Sequence, residues 1–344
     1  ARLVEVNRYE SLDSIDPDPW RPLLYTTCTE KIFRESKEQD VGMFISFSED
    51  NPDSIRECVA HARENARMVR DQISEEIWRE LNRFHLFIRS ENAVELWKNQ
   101  PETFHRRTIE FCMLLSGLIH ATVLHDEGWH FMQIGKLIER ADKTTRVLDM
   151  LAYYQGIAPR AKLASALKSC SAFNAFQAEY RSGISLDNAM SFLLFSASFP
   201  RSVRFCIQQL DYHLHTVSGS PIGSYTNEAE RITGNSLAQL NFSSSLNILQ
   251  VGYHDYIDSL QKQFNEIGQQ VFDTYILLPL EIRSNTNSET QRRQNNHQRQ
   301  QSIEIKNDNN IIAKDGVKIT TSDGLEIFAN ESKYNKETKI LDLI

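Results

Sequence analysis

The sequence predicts an all-α protein: a duplicated antiparallel helical bundle with pseudo-two-fold symmetry, followed by a disordered linker and a short β-rich C-terminal tail. Three observations carry this reading. Apolar residues recur at three- and four-residue spacing through residues 1–280, the period of an amphipathic helix. One stretch of the first half returns in the second at a constant offset, Phe44 matching Phe192 and Pro52 matching Pro200. From Arg283 to Gln301 there is no apolar residue, so that stretch has nothing with which to bury surface.

The elements follow in order. Pro52 and Pro200 each read as first-turn prolines opening a helix. The stripe after Pro52 is Ile55, Cys58 or Val59, Ala62, Ala66 and Val69, and after Pro200 it is Val203, Cys206 or Ile207, Leu210, and then His213 or Leu214. A long pattern runs from Ile77 to Trp97. Residues Phe111–Leu124 are apolar on nearly every side, which predicts a central buried helix. Another helix spans Trp129–Tyr154, and the last runs from Tyr253 to Leu278. The repeat, Phe44-Ile-Ser-Phe-Ser48 against Phe192-Leu-Leu-Phe-Ser196 and Ser54-Ile-Arg against Ser202-Val-Arg, divides residues 1–280 into units of about 1–127 and 128–280. Ala1–Glu5 aligns with Thr145–Asp149, so the first unit's leading helix is read as truncated. Residues 281–311 are the polar linker. Residues 312–344 alternate apolar and polar around Asp315-Gly316 and Asp323-Gly324, as short strands joined by turns do.

The chain has 344 residues and a net charge of −8. Residues 281–344 hold ten acidic and ten basic residues, so the whole deficit lies in 1–280. An acidic body argues against a nucleic-acid-binding surface. No apolar run reaches the roughly 18 residues of a membrane span. The five cysteines form no CxxC pair and read as reduced packing residues of a cytoplasmic protein.

The polar motifs carry competing readings. Asp126-Glu127-Gly-Trp-His130 lies between two long helices. Asp126 can cap a helix whose first turn holds Glu127. Alternatively Glu127 and His130, three apart on one face, act as an acid–base pair or bind metal. Glu102 and His105 are a second such pair, but about 24 residues at 1.5 Å each put Glu102 roughly 35 Å from Glu127. No metal centre or cofactor is expected. Glu139 to Lys143 and Asp142 to Arg146 are four apart and can pair along the helix surface. Arg140 and Arg146 can instead reach inward to carboxylates. Arg63, Arg67 and Arg70 form a like-charged stripe that needs anions nearby, either Glu127 and Glu139 in a structural ion-pair network or a bound phosphate or carboxylate. The equivalent positions of the second unit hold Asp211, His215 and Ser218. There is no nucleophile elbow, P-loop, dinucleotide fingerprint or HExxH.

Taken together, Asn51-Pro-Asp-Ser-Ile55, Asp126-Glu-Gly-Trp-His-Phe131, Leu137-Ile-Glu-Arg-Ala-Asp-Lys-Thr-Thr-Arg146, Phe199-Pro-Arg-Ser-Val-Arg204 and Asn227-Glu-Ala-Glu-Arg231 resemble the bacterial alpha-E domain family. The resemblance covers residues 1–280. It implies a helical domain whose members begin with a further helix, here kept only as its last turn. It also implies partners: circularly permuted ATP-grasp ligases and transglutaminase-like proteins, hence a part in ATP-dependent peptide or amide-bond formation or the matching hydrolysis. Residues 312–344 resemble a fragment of the lipopolysaccharide-export β-strand repeat family. The function expected is an accessory or substrate-presenting domain. The alternatives are an enzyme component using Glu127 and His130, and a purely structural scaffold.

Overall fold

The structure, a computed structural model, describes residues 2, 4–6, 21–152, 160–181, 183–243, 248 and 251–277, together with the backbone of 303–305, 310–320, 326–335 and 340–343. It divides into two compact units. One comprises residues 1–226 and 230–267, the other 227–229 and 268–344.

The helices are α1 (Arg21–Thr27), α2 (Glu30–Glu35), α3 (Val41–Phe47), α4 (Ile55–Met68), α5 (Glu75–Ile88), α6 (Glu91–Asn99) and α7 (Pro101–Thr122). They continue as α8 (Glu127–Ala152), α9 (Arg160–Ser169), α10 (Phe173–Glu179), α11 (Leu186–Phe195), α12 (Val203–Ser218), α13 (Glu228–Phe242) and α14 (Tyr253–Phe272). Among the described residues no helix is long and apolar enough to cross a membrane.

Local chemistry sets the boundaries. Ser54 and Ser202 cap α4 and α12, each hydroxyl accepting a backbone N–H three residues on. The two prolines read as first-turn residues therefore stand before the caps, not inside the helices. Ile77–Trp97, read as one pattern, is broken at Ser90, whose hydroxyl donates to the Phe87 carbonyl as α5 ends. Gly219 ends α12 at φ 74°, a left-handed conformation that glycine adopts without strain. Cys28 and Ser171 take the same left-handed region, at φ 57° and 54°, in the turns α1–α2 and α9–α10.

Helices α3 to α7 share an apolar cluster of Phe47, Val59, Leu81, Phe84, Ile88, Trp97, Phe104 and Phe111. Phe84 and Phe111 stack with centroids 4.0 Å apart. A Cβ on Gly42 would stand 2.7 Å from the Trp97 ring, so only glycine allows α3 so close to α6. The longest helix, α8, packs antiparallel on α12 along most of its length. His130 faces His213 at one end, while Arg140 and Thr144 reach Pro200 and Arg201 at the other.

Two expectations change. The second half of α7, predicted as a buried centre, is open: Met113 is 55% and Leu114 45% exposed, while burial is confined to residues 101–111. It runs along α5 to its end, where the Thr122 hydroxyl donates to Ser74 at 2.8 Å, but its other sides in this half are left open. Of the cysteines read as packing residues, Cys170 and Cys206 are buried, but Cys28, Cys58 and Cys112 are exposed; all five are free thiols.

In the second unit four strands form one antiparallel sheet in the order β1 (Ile303–Ile305), β2 (Asn310–Thr320), β3 (Glu326–Asn335) and β4 (Ile340–Leu343). Ile311 pairs with Tyr334 and Lys318 with Phe328. The register shifts between Lys314 and Val317, so Asp315-Gly316, read as a turn, lies in an irregularity within β2. Strand β1 and the start of β2 fall inside the stretch read as linker; the remainder of that stretch, and Asp323-Gly324, lie outside the described residues.

Candidate functional site

The cap reading of Asp126 has direct geometry: its carboxylate accepts the Trp129 N–H at 3.2 Å. Glu127 is exposed on the first turn of α8. His130, one turn on, points elsewhere, with its Nδ1 2.8 Å from Nδ1 of His213 on α12. Two neutral imidazoles can share that bond only if one ring donates from Nδ1 and the other accepts. Burial and the neighbouring His130 push His213 down to about 4, and burial and His125 lower His130, so the pair is neutral at pH 7. Trp129 packs between these rings and His125, which stacks on the indole at 3.9 Å. Glu127 and His130 are therefore not aimed at a shared point. Among the described residues no group of three or more His, Cys, Asp or Glu side chains could hold a metal ion.

The arginine stripe of α4 has local partners. Arg63 donates to Asn82 at 2.8 Å, Arg67 to Glu64 at 2.7 Å, and Arg70 pairs with Glu75. Arg63 and Arg70 also flank the Trp78 ring. The stripe is held by the α4–α5 hairpin rather than by Glu127 or Glu139. On α12, 148 residues beyond Arg67, His215 is buried between two carbonyls, Asp211 O at 2.7 Å and Ser224 O at 2.9 Å. Burial opposes its charge, but these acceptors and Asp211 raise its pKa above the ordinary value.

On α8 the charged face divides. Glu139 meets Lys143 at 3.6 Å, and buried Asp142 accepts Arg146 at 2.7 Å. Arg146 also touches the Cys28 sulfur. Asp149, a turn further on, accepts the Tyr25 hydroxyl at 2.7 Å and meets His254 at 2.6 Å, joining α1, α8 and α14.

Arg140 differs from these. Among the described residues its guanidinium reaches only the Pro200 carbonyl, at 3.3 Å. Lys136 stands one turn before it on α8, and Arg201 follows Pro200 at the head of α12, its carbonyl held by Thr144 at 3.0 Å. Burial lowers the Arg140 guanidinium, with Arg201 adding to the effect, and lowers the Lys136 ammonium, with Arg140 adding to it. Among the described residues no carboxylate lies within ion-pair distance of Lys136, Arg140 or Arg201. Arg140 thus lies within electrostatic reach of two further cations at the seam of α8 and α12, Arg201 and the exposed Lys136, whose ammonium donates to the Gln133 side chain. Sequence reasoning found Arg140 but missed Lys136 and Arg201. The signal was present: Lys136 and Arg140 are four apart, and Arg201 adjoins the repeated proline.

A helical domain with a cationic seam and no metal-binding cluster among its described residues defines a class of all-α domain rather than a reaction. The chain belongs to the Alpha-E family, described as a predicted alpha-helical domain with a conserved ER motif, whose model matches residues 1–276. Glu-Arg pairs stand in this chain at 139–140 and 230–231. An uncharacterized protein of Mycobacterium bovis is 27% identical over 188 residues, covering 51% of this chain and 21% of its own. Two uncharacterized proteins of Mycobacterium tuberculosis match over the same length at 27% and 26% identity. The chain spans about a fifth of the length of these curated relatives. No solved structure matches it.

Proposed function

We propose that the helical unit is a binding module: an accessory or substrate-presenting domain of the cytoplasm that acts with an ATP-grasp-type peptide or amide ligase and transglutaminase-like partners. The observation that carries this reading is the trio Lys136, Arg140 and Arg201. Packing cations together costs free energy unless an anion offsets it, and guanidinium forks suit carboxylates. A peptide terminus or an acidic side chain supplies that anion. The enzyme reading draws no support from the geometry, since Glu127 is exposed and His130 is bonded to His213.

The same proposal includes the duplication. Ser54 and Ser202 cap their helices alike, and the left-handed residues Cys28 and Ser171 precede corresponding short helices. The ancestral unit would then have diverged at Arg63, Arg67 and Arg70 on one side and Asp211, His215 and Ser218 on the other.

The test is recovery of the full chain from a bacterial host that encodes an ATP-grasp ligase and a transglutaminase-like protein, with mass spectrometry of what accompanies it. Stoichiometric recovery of the ligase, lost on combining Arg140→Glu with Arg201→Glu, is the expected result. Recovery of the chain alone, or of a ligase indifferent to the double variant, overturns the proposal.

A further inference from the structure

His215 is buried in the helical unit, yet both of its ring nitrogens stand against backbone carbonyls. Nδ1 lies 2.7 Å from Asp211 O, one turn back on α12, and Nε2 lies 2.9 Å from Ser224 O in the connection to α13. A carbonyl oxygen only accepts, so both bonds form only when both nitrogens carry protons, which makes the ring an imidazolium. A neutral ring sets one bare nitrogen lone pair against a carbonyl oxygen. The charged groups that face the ring are Asp211 on its own helix, with Oδ1 3.6 Å from Nδ1, and buried Glu230 on α13. Helix α8 packs on the other side of α12, at His213, two residues or about 200° around the helix. Burial opposes the charge, but the Ser224 and Asp211 carbonyls and both carboxylates outweigh it, and the pKa lies above the ordinary 6.5.

Ser224 belongs to a connection with few other ties, exposed over residues 221–226. Within it, Pro221 O accepts the Ser224 N–H at 3.1 Å and the Ser224 hydroxyl at 2.7 Å, closing a turn in which Gly223 takes φ 91°. Its far end is fixed where the Glu230 carboxylate accepts the Thr226 N–H at 2.7 Å and the Thr226 hydroxyl at 3.1 Å. Among the described residues, the bond from His215 to Ser224 is the one hydrogen bond that ties residues 221–225 to a helix. When the ring loses a proton, the remaining one stays where negative charge is densest. That is Nδ1, which faces both the carbonyl and the carboxylate of Asp211. Nε2 becomes the bare nitrogen, and its bond to Ser224 is the one that is lost.

We propose that residues 219–226 form a pH-sensitive latch, closed by the His215 imidazolium on the Ser224 carbonyl and released when the ring becomes neutral. The latch is fully held below the ordinary imidazole range and lost as the pH rises through the raised folded-state value. Release leaves α12 and α13 in place, frees the stretch carrying exposed Ile222 and Tyr225, and admits water to Asp211 and Glu230. The inference stands apart from the partner reading above, which does not involve this connection.

Limited proteolysis by chymotrypsin reads the latch, because cleavage after Tyr225 needs a locally released chain. The full chain is digested between about pH 6 and 9, a range that brackets a raised imidazole, and each rate is divided by the protease's rate on a small ester. Normalised cleavage after Tyr225 should rise about tenfold across that range, the weight of one charge-assisted hydrogen bond, with unchanged far-ultraviolet circular dichroism. His215→Gln, which cannot donate at both ends, should be cut at one fast rate throughout. Asp211→Asn should move the rise to lower pH by weakening the hold on the proton. If His215→Gln loses the parent's circular dichroism, Asp211→Asn decides alone. A parent rate flat with pH, a rise that folded His215→Gln retains, or a midpoint that Asp211→Asn leaves in place overturns the proposal. A rise that comes with loss of helical signal also overturns it, because the whole unit then opens rather than the connection.

Discussion

Two imidazoles share one hydrogen bond where α8 crosses α12, and the proton balance of that bond makes the fold acid-sensitive. Burial and the neighbouring His130 hold His213 at about 4, against an ordinary 6.5. The folded state thus binds fewer protons at this site than the unfolded chain. Its contribution to stability is full above pH 6.5, falls as the pH drops toward 4 and levels off below that. The shift corresponds to at most about 3 kcal/mol. Protonated His215, raised by its carbonyl acceptors and Asp211, runs the other way and favours the fold at low pH. Urea denaturation between pH 7 and 4 should show the loss, and His213→Phe should flatten it. An unchanged acid limb in that variant would assign acid lability to other groups. His130 stood out as a candidate from its motif, but its partner lies 83 residues away, beyond any local spacing rule.

Element by element, legibility follows the locality of the cause. The caps Ser54, Ser202 and Asp126 act on N–H groups three residues away; Asp126 was readable as a cap from its type and position, whereas Pro52 and Pro200, two residues before the serines, drew the helix starts to themselves. The break at Ser90 was not readable, because the apolar period runs on across it from Ile88 to Ala93 and Trp97. The exposure of α7 was not readable either. A helix apolar on every side predicts burial only if another element lies against each side, and packing partners are a tertiary fact. The α8 cap offers a contrast between neighbours. Asp126→Ala should cost about 1 kcal/mol of stability by removing a side-chain bond to an unsatisfied backbone N–H. Glu127→Ala should cost only the few tenths owed to its charge at the positive helix end. Thermal melts of both variants decide this, and an equal loss for the two would argue that Glu127 has a contact of its own.

Over the whole molecule the five thiols report how evenly the helical unit is covered. Cys58 and Cys206 lie 148 residues apart in similar stretches of sequence, yet one is exposed and the other buried with its thiol pushed up to about 12. Native protein should therefore titrate three thiols with Ellman's reagent, those of Cys28, Cys58 and Cys112, and two more after guanidinium unfolding. Partial burial raises Cys58 and Cys112, so both should react slowly at pH 7 and faster as the pH rises. Five reactive thiols in the native state would mean that both the α8–α12 seam over Cys206 and the α9–α10 turn over Cys170 open on the labelling timescale. The cationic trio was half legible at this scale. Arg140 stood out in the sequence, but its proximity to Arg201 depends on two helices meeting in antiparallel order.

That antiparallel order bears on how the chain comes together in time. Helices α4 to α7 follow one another in sequence and can collapse onto Phe84 and Phe111 through short loops, a low-contact-order event. The seam of α8 and α12 must wait until α9, α10 and α11 have been drawn in between, at a greater cost in loop-closure entropy. A chain emerging from the ribosome therefore leaves the α12-facing side of α8 exposed until residue 218 has been made, although α1 is already present to pack on its far end. For that interval this side of α8 is open to capture by any surface shaped like α12.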